Sequence, residues 1–261
     1  MLELRKSRQH WQMMSLQTSR LTEMSSFMML IAKTTSCHPA TFPHNHHSYE
    51  APHRPLSQTR CYEFTYGVTA EIAYAINKTL ELCKEISFYD KLTPQRAIPE
   101  GILEACESLG NQLLSWSLND ELSKAIFPND ETMQVVFSHH AHAWHLSALI
   151  YYLQHIQGAS RSDIAEHVAN AASYLHIVED IKSGLPDNQM APITWPAFIA
   201  SCSALDRETW VLWWTRIQRY GIGTMKRQFD VVKEIWSALD AEPDANWLEI
   251  IRRRKIEVLA L

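Results

Sequence analysis

An all-α fold, a multi-helix bundle of stacked antiparallel helical hairpins, is what the 261-residue sequence predicts, and three observations carry it. Apolar residues recur at three- and four-residue spacing in segment after segment. No segment sustains the alternation of a half-buried strand bounded by turn signals. Glycine, at 7 residues, is roughly 3 % against the usual value of about 7 %, and it falls with proline mainly between the periodic segments.

The first expected helix runs from Glu3 to Lys33, with Leu4, Trp11, Met14, Leu21, Met24, Met28 and Ile31 on a loose apolar face. Residues 34–61 hold four prolines, four histidines between His44 and His53 and no period, and read as an exposed Pro/His-rich linker. Residues 62–261 form the main domain. Its first stripe is Ile72, Ile76, Thr79, Cys83 and Ile86; Pro94 and Pro99 interrupt it, and Ile102–Phe127 gives one further helix. Asp130–Gln157 is helical throughout and stops at Gly158. Ser160 or Ser162 is placed to cap the next helix, with its stripe of Ile164, Val168, Ala171, Leu175 and Val178, and these two helices form a hairpin.

Thr194-Trp195-Pro196 is a helix start, with a threonine cap and a proline in the first turn. Asp206 caps the helix carrying Trp210, Trp213, Ile217 and Tyr220, which Gly221 closes. Thr224 opens another, striped by Met225, Phe229, Val232, Trp236 and Leu239. A short helix over Asn246–Lys255 ends the series.

Several function classes lack their signatures. There is no G-x-G-x-x-G or G-x-x-x-x-G-K-[ST] loop for a pyrophosphate or triphosphate. A net charge of −5 gives no global pull on nucleic acid. The longest apolar runs, Phe27–Ala32 and Trp210–Trp214, are far below the ~20 residues of a membrane span. The charged N-terminus does not resemble a secretion signal, and five widely spaced cysteines form neither a disulfide framework nor a C-x-x-C metal knuckle.

Candidate chemistry is sparse. His139, His142 and His145 step by three on one helix, yet no glutamate completes a zinc-protease pattern, and histidines packed on a polar helix face are the simpler reading. The acid pairs Asp130/Glu131 and Glu179/Asp180 belong on helix ends or polar faces. Cys202 has no neighbouring base, and no Asp-Asp-x-x-Asp cluster for magnesium is present. Trp195, Phe198, Trp210 and Trp214 are the candidate core or pocket wall. Trp213 and Trp214 are adjacent, so one of them faces a second packing element or a ligand. Arg252, Arg253, Arg254 and Lys255 are a candidate nuclear import signal.

TWPAFIASCSALDRETWVLWW (Thr194–Trp214), YGIGTMKRQFDVVKEIW (Tyr220–Trp236) and WLEIIRRRKIEVLAL (Trp247–Leu261), in that order, resemble the C-terminal part of the fungal-specific transcription factor regulatory domain of zinc-cluster regulators similar to the arginine metabolism regulation protein. YGVTAEIAYAINKTLEL (Tyr66–Leu82) and ALIYYLQHIQG (Ala148–Gly158) extend the likeness upstream, to about 200 residues from Tyr62 onward. The resemblance implies a non-enzymatic, nuclear regulator of RNA polymerase II transcription. It implies a protein partner or self-association, and a small-molecule effector, as the means of control. The six-cysteine zinc cluster with which such regulators read DNA has no counterpart in these residues, so neither cofactor nor metal, no direct nucleic-acid contact and no membrane are expected. The rival readings are a helical metal-dependent or isoprenoid-type enzyme, with metal near Asp130–His145, and a simple dimerisation module.

Overall fold

A computed structural model describes residues 20–36, 61–92, 97–121, 129–185, 190 and 192–258. Every regular element among them is helical: α1 (residues 20–34), α2 (Cys61–Tyr66), α3 (Ala70–Leu92), α4 (Glu100–Leu114), α5 (Leu118–Glu121), α6 (Glu131–His155), α7 (Ala165–Ser183), α8 (Trp195–Cys202), α9 (Arg207–Ile217) continued by a 3₁₀ turn (Gln218–Tyr220), α10 (Gly223–Ala241) and α11 (Trp247–Arg254). The fold is all-α. Most of the Pro/His-rich segment, and residues 3–19 of the expected N-terminal helix, lie outside the described residues.

Helix α6 is the axis of the molecule, packing against α3, α4, α7 and α8. Asp130 starts it, its carboxylate accepting from the Met133 amide at 2.9 Å. Gly158, at φ +66°, turns the chain back. The turn that follows is closed by Ser160 and Asp163: the Asp163 carboxylate accepts from both the amide and hydroxyl of Ser160, and the Asp163 amide donates to Ser160 Oγ. The expected serine cap therefore shapes the turn ahead of α7, whose own N-cap position, Ile164, is buried instead. α7 returns along α6, bringing Lys182 near its end beside His140 near the start of α6.

Two glycines allow close approaches to this axis. A Cβ on Gly110 would meet the Tyr152 hydroxyl at 2.6 Å, the group that donates to the Cys106 carbonyl at 2.7 Å. Gly67 has φ +69°, and a Cβ there would lie 2.6 Å from His140 Cβ.

The single helix expected over Ile102–Phe127 is broken. α4 ends at Leu114, Ser115 donates its amide to the Asn111 carbonyl and its hydroxyl to that of Gln112, and α5 begins at Leu118. Serine's local hydrogen bonds compete with the helix here, and Trp116 leaves the helical path to stack on His145, 4.4 Å between ring centroids. The break serves packing that periodicity does not show.

Helix α1 belongs to the same core. Phe27 is fully buried against Tyr66 and Trp144. Thr34 and Thr35, at the head of the expected exposed linker, are buried as well: Thr34 Oγ1 accepts from the Trp195 indole at 2.8 Å, and Thr35 Oγ1 donates to the Val258 carbonyl at 2.9 Å. Those two bonds fasten the end of α1 to the C-terminal half of the core.

Candidate functional site

Helix α8 sits at the centre of the C-terminal half, and every residue from Pro192 to Ala204 is buried. The cause is its sequence, apolar on all sides, which leaves no face for solvent. A buried helix must still satisfy its terminal polar groups, and neighbouring side chains do this. Ser147 donates to the Pro196 carbonyl at 3.0 Å and Trp236 to the Ser201 carbonyl at 2.7 Å. Thr194 does not act as the expected side-chain cap: its hydroxyl is buried with no bonded partner, and its carbonyl accepts from the Phe198 amide. With Pro196 in the first turn there are fewer free amides for a cap to serve.

Around α8 the tryptophans form a clasp. Trp195 stacks on Trp144 at 4.9 Å and donates to Thr34; Trp144 donates to the Tyr66 carbonyl at 2.9 Å. Trp214 donates to Ser201 Oγ at 3.2 Å and stacks on Phe229, while Trp247 donates to the Gln154 carboxamide oxygen at 3.0 Å, an acceptor shared with Ser203. Phe198 meets Trp247 edge-on. Trp195, Phe198, Trp210 and Trp214 are thus all buried in the main core. Trp213 and Trp214 are both fully buried, because α9 lies between α7 and α10; the Trp213 indole N–H has no acceptor. A shallow groove of about 350 Å³, lined by Glu242, Pro243, Asp244, Ala245, Glu249 and Arg253, lies elsewhere, at the α10–α11 connection.

The second assembly is polar and joins α7 to α9. Glu179 was expected on a polar face, and the structure corrects this: Glu179 and Lys182 are buried, with Lys182 Nζ donating to Glu179 Oε1 at 3.2 Å. The other carboxylate oxygen accepts from Arg219 at 3.0 Å and from the Tyr220 hydroxyl at 2.8 Å. Arg216 bonds Asp180 at 2.6 Å and Ser183 at 3.0 Å, and Arg219 also reaches Ser183 at 2.8 Å. A carboxylate bonded on both oxygens is compensated for its burial. Burial lowers the Lys182 pKa, and Glu179 opposes that shift. The neighbouring His140 imidazole is held neutral, far below its ordinary range, by burial first and then by the Lys182 and His139 charges.

The signal for this seam was present in the sequence. Lys182 continues the α7 stripe four residues past Val178, and Glu179 follows Leu175 by four, so both fall on the buried side. Gln154 is hidden in the same way on α6.

The histidine group does not converge on a metal. His145 bonds the Leu113 carbonyl at 2.7 Å, His142 the Ser138 carbonyl at 2.8 Å, and the rings pack on Trp116 and Tyr174. Among the described residues no three His, Cys, Asp or Glu side chains are placed to share a metal ion. Cys202 is fully buried and its thiol pKa is pushed well up by desolvation, the opposite of an activated nucleophile.

The family model of the fungal-specific transcription factor domain matches residues 3–260. The chain belongs to that family. Searches of curated proteins and of solved structures returned no match. The match takes in α1 together with the clasp and the seam, so a fungal-specific transcription factor domain here includes the segment before the Pro/His-rich stretch. Among the described residues no helix is long and apolar enough to cross a membrane. In this domain the basic run closes α11: Arg252, Arg253, Arg254 and Lys255 are all exposed, Arg253 is held by both carboxylate oxygens of Glu242 at 2.8 Å, and Lys255 ends the helix at φ +53°. Cations in the last turn also suit the helix dipole.

Proposed function

We propose that the chain is the regulatory, non-enzymatic domain of a nuclear transcription regulator, acting on RNA polymerase II transcription through a protein partner or a small effector, with no nucleic-acid contact of its own. The family match along almost the entire chain carries this reading. The seam supports it physically. A buried carboxylate shared by two cations and a phenol ties two helices through bonds that a partner or effector can exchange, and a ligand that binds one arrangement better selects it. The clasp around α8 supplies the rigid half against which the seam moves.

Fusing the chain to a heterologous DNA-binding domain tests the reading. Reporter transcription should rise or fall several-fold relative to the DNA-binding domain alone at matched nuclear level; equal output would contradict it. The exposed Arg252–Lys255 run is proposed as the import signal. Replacing all four residues by alanine should shift a fluorescent fusion from nucleus to cytoplasm with the melting temperature nearly unchanged, and undiminished nuclear accumulation would remove that assignment.

A further inference from the structure

The last turns of α1, α6 and α11 meet against the middle of α3. Cys83 of α3 donates its thiol to the His155 carbonyl at 3.8 Å, the His155 ring lies edge-on to Trp247 of α11 at 5.4 Å, and Thr35 beyond α1 bonds Val258 beyond α11. Tyr151, one turn before His155 on the same face of α6, meets that imidazole edge-on at 4.5 Å. Two polar groups end here without partners. His155 Nε2 is buried and bonded to nothing, and the Tyr151 hydroxyl makes no hydrogen bond among the described residues. Buried polar groups are normally bonded, so an open pair marks a place for a further molecule.

A water would answer those two groups alone, but the charges around them are positive. Arg252 is exposed and in no ion pair among the described residues, unlike Arg253, which Glu242 holds. Its charge reaches all three helices: burial first, and then Arg252, pushes His155 down to about 3, and Arg252 works against the burial that raises the Cys83 thiol and the Tyr151 phenol. Burial and then the Lys33 charge lower the pKa of Lys84, next to Cys83. Neither lysine is in an ion pair among the described residues, and Glu81, the carboxylate that acts on Lys84, is already engaged by Lys78 and Asn77. Arg252 and Lys33 suit the ends of their helices; Lys84, in mid-helix, has no such reason to be there.

We propose that this junction binds a small anion, the carboxylate or phosphate group of a small molecule, with Arg252 pairing its charge, the Tyr151 hydroxyl and His155 Nε2–H donating to it, and Lys33 and Lys84 at the rim. The site gives the regulatory reading a class of effector and is tested by binding alone: a chain that binds no anion yet alters reporter output overturns the site and leaves that reading standing.

Histidine side-chain NMR of the full chain tests it, with the His155 signal assigned by its loss in His155→Gln. Inorganic phosphate and acetate are titrated against sodium chloride at matched ionic strength. The His155 signal should shift saturably with phosphate, acetate or both, the tighter of the two identifying the ligand's charged group, and chloride should leave it in place. Arg252→Gln should weaken binding about tenfold or more, and Tyr151→Phe several-fold, each with unchanged circular dichroism. Arg253→Gln removes the same charge one residue away and should change binding by less than about twofold. No saturable shift with either anion, a shift that chloride reproduces, or equal losses in Arg252→Gln and Arg253→Gln would each overturn the site.

Discussion

The clasp around α8 and the seam between α7 and α9 solve the same problem in opposite ways. Both bury polar groups in one continuous bundle. The clasp does it with neutral indole donors, of which Trp144, Trp195, Trp214, Trp236 and Trp247 each reach a carbonyl, hydroxyl or carboxamide oxygen. The seam does it with formal charges whose partners come from two helices and a 3₁₀ turn. Neutral pairs lose little on desolvation and hold at any physiological pH, whereas buried charges are stable only while every partner is in place. The comparison teaches which half is scaffold and which half can switch.

The largest effect should come from the clasp. Trp195→Ala removes a fully buried indole, its stack on Trp144 and its bond to Thr34, and should cost about 3–5 kcal/mol in denaturant unfolding. A loss below about 1 kcal/mol would show that the clasp is not the rigid half.

Next come two substitutions in the seam that should differ from each other. Glu179→Ala removes the buried acceptor shared by Lys182, Arg219 and Tyr220 and should cost about 3–5 kcal/mol. Lys182→Met leaves Glu179 its Arg219 and Tyr220 bonds and should cost no more than about 1–2 kcal/mol. Equal losses would mean that Lys182, not Glu179, organises the seam.

Acid should loosen both regions through the histidines of α6. Burial, then the nearby Arg252 charge, pushes His155 down to about 3 beside Trp247 in the clasp, and His140 is well below its usual value beside the seam. The unfolded chain takes up these protons as pH falls through about 6.5 while the folded chain does not. Their contribution is therefore intact above that pH and is lost as pH falls toward the folded values, at about 1.4 kcal/mol per pH unit for each group. Thermal melts of His155→Gln and His140→Gln between pH 7 and 4 should each show a flatter pH dependence than the wild type; unchanged slopes would show that the imidazoles are protonated in place.

The smallest effect lies at the exposed start of α9, away from the buried bonds of both regions. Asp206 caps α9 through the amides of Glu208 and Thr209, and Asp206→Ala should cost about 1 kcal/mol.

Helix content, the Asp206 cap, the place of Asp130 at a helix start and the turns at Gly158 and Gly221 were legible because they depend on local spacing and on residue types with one preferred backbone role. The break at Ser115 was not, since it is fixed by Trp116 stacking on a histidine thirty residues away. Thr194 and Ser160 show the limit of capping rules, which state what a side chain can do and not whether a buried environment lets it. The seam was missed because Glu179 was read by its charge and Lys182 was not singled out, when the phase of both on α7 already put them inside.

Native-state hydrogen exchange at constant pH, comparing wild type with Glu179→Gln, addresses the division of the molecule most directly. Amides at the end of α7 and in the Gln218–Tyr220 turn should exchange faster through a local opening, while those of α8 and α10 keep wild-type protection and open only with global unfolding. Acceleration spread evenly over all four elements would show that scaffold and switch are one cooperative unit, and the division would fall.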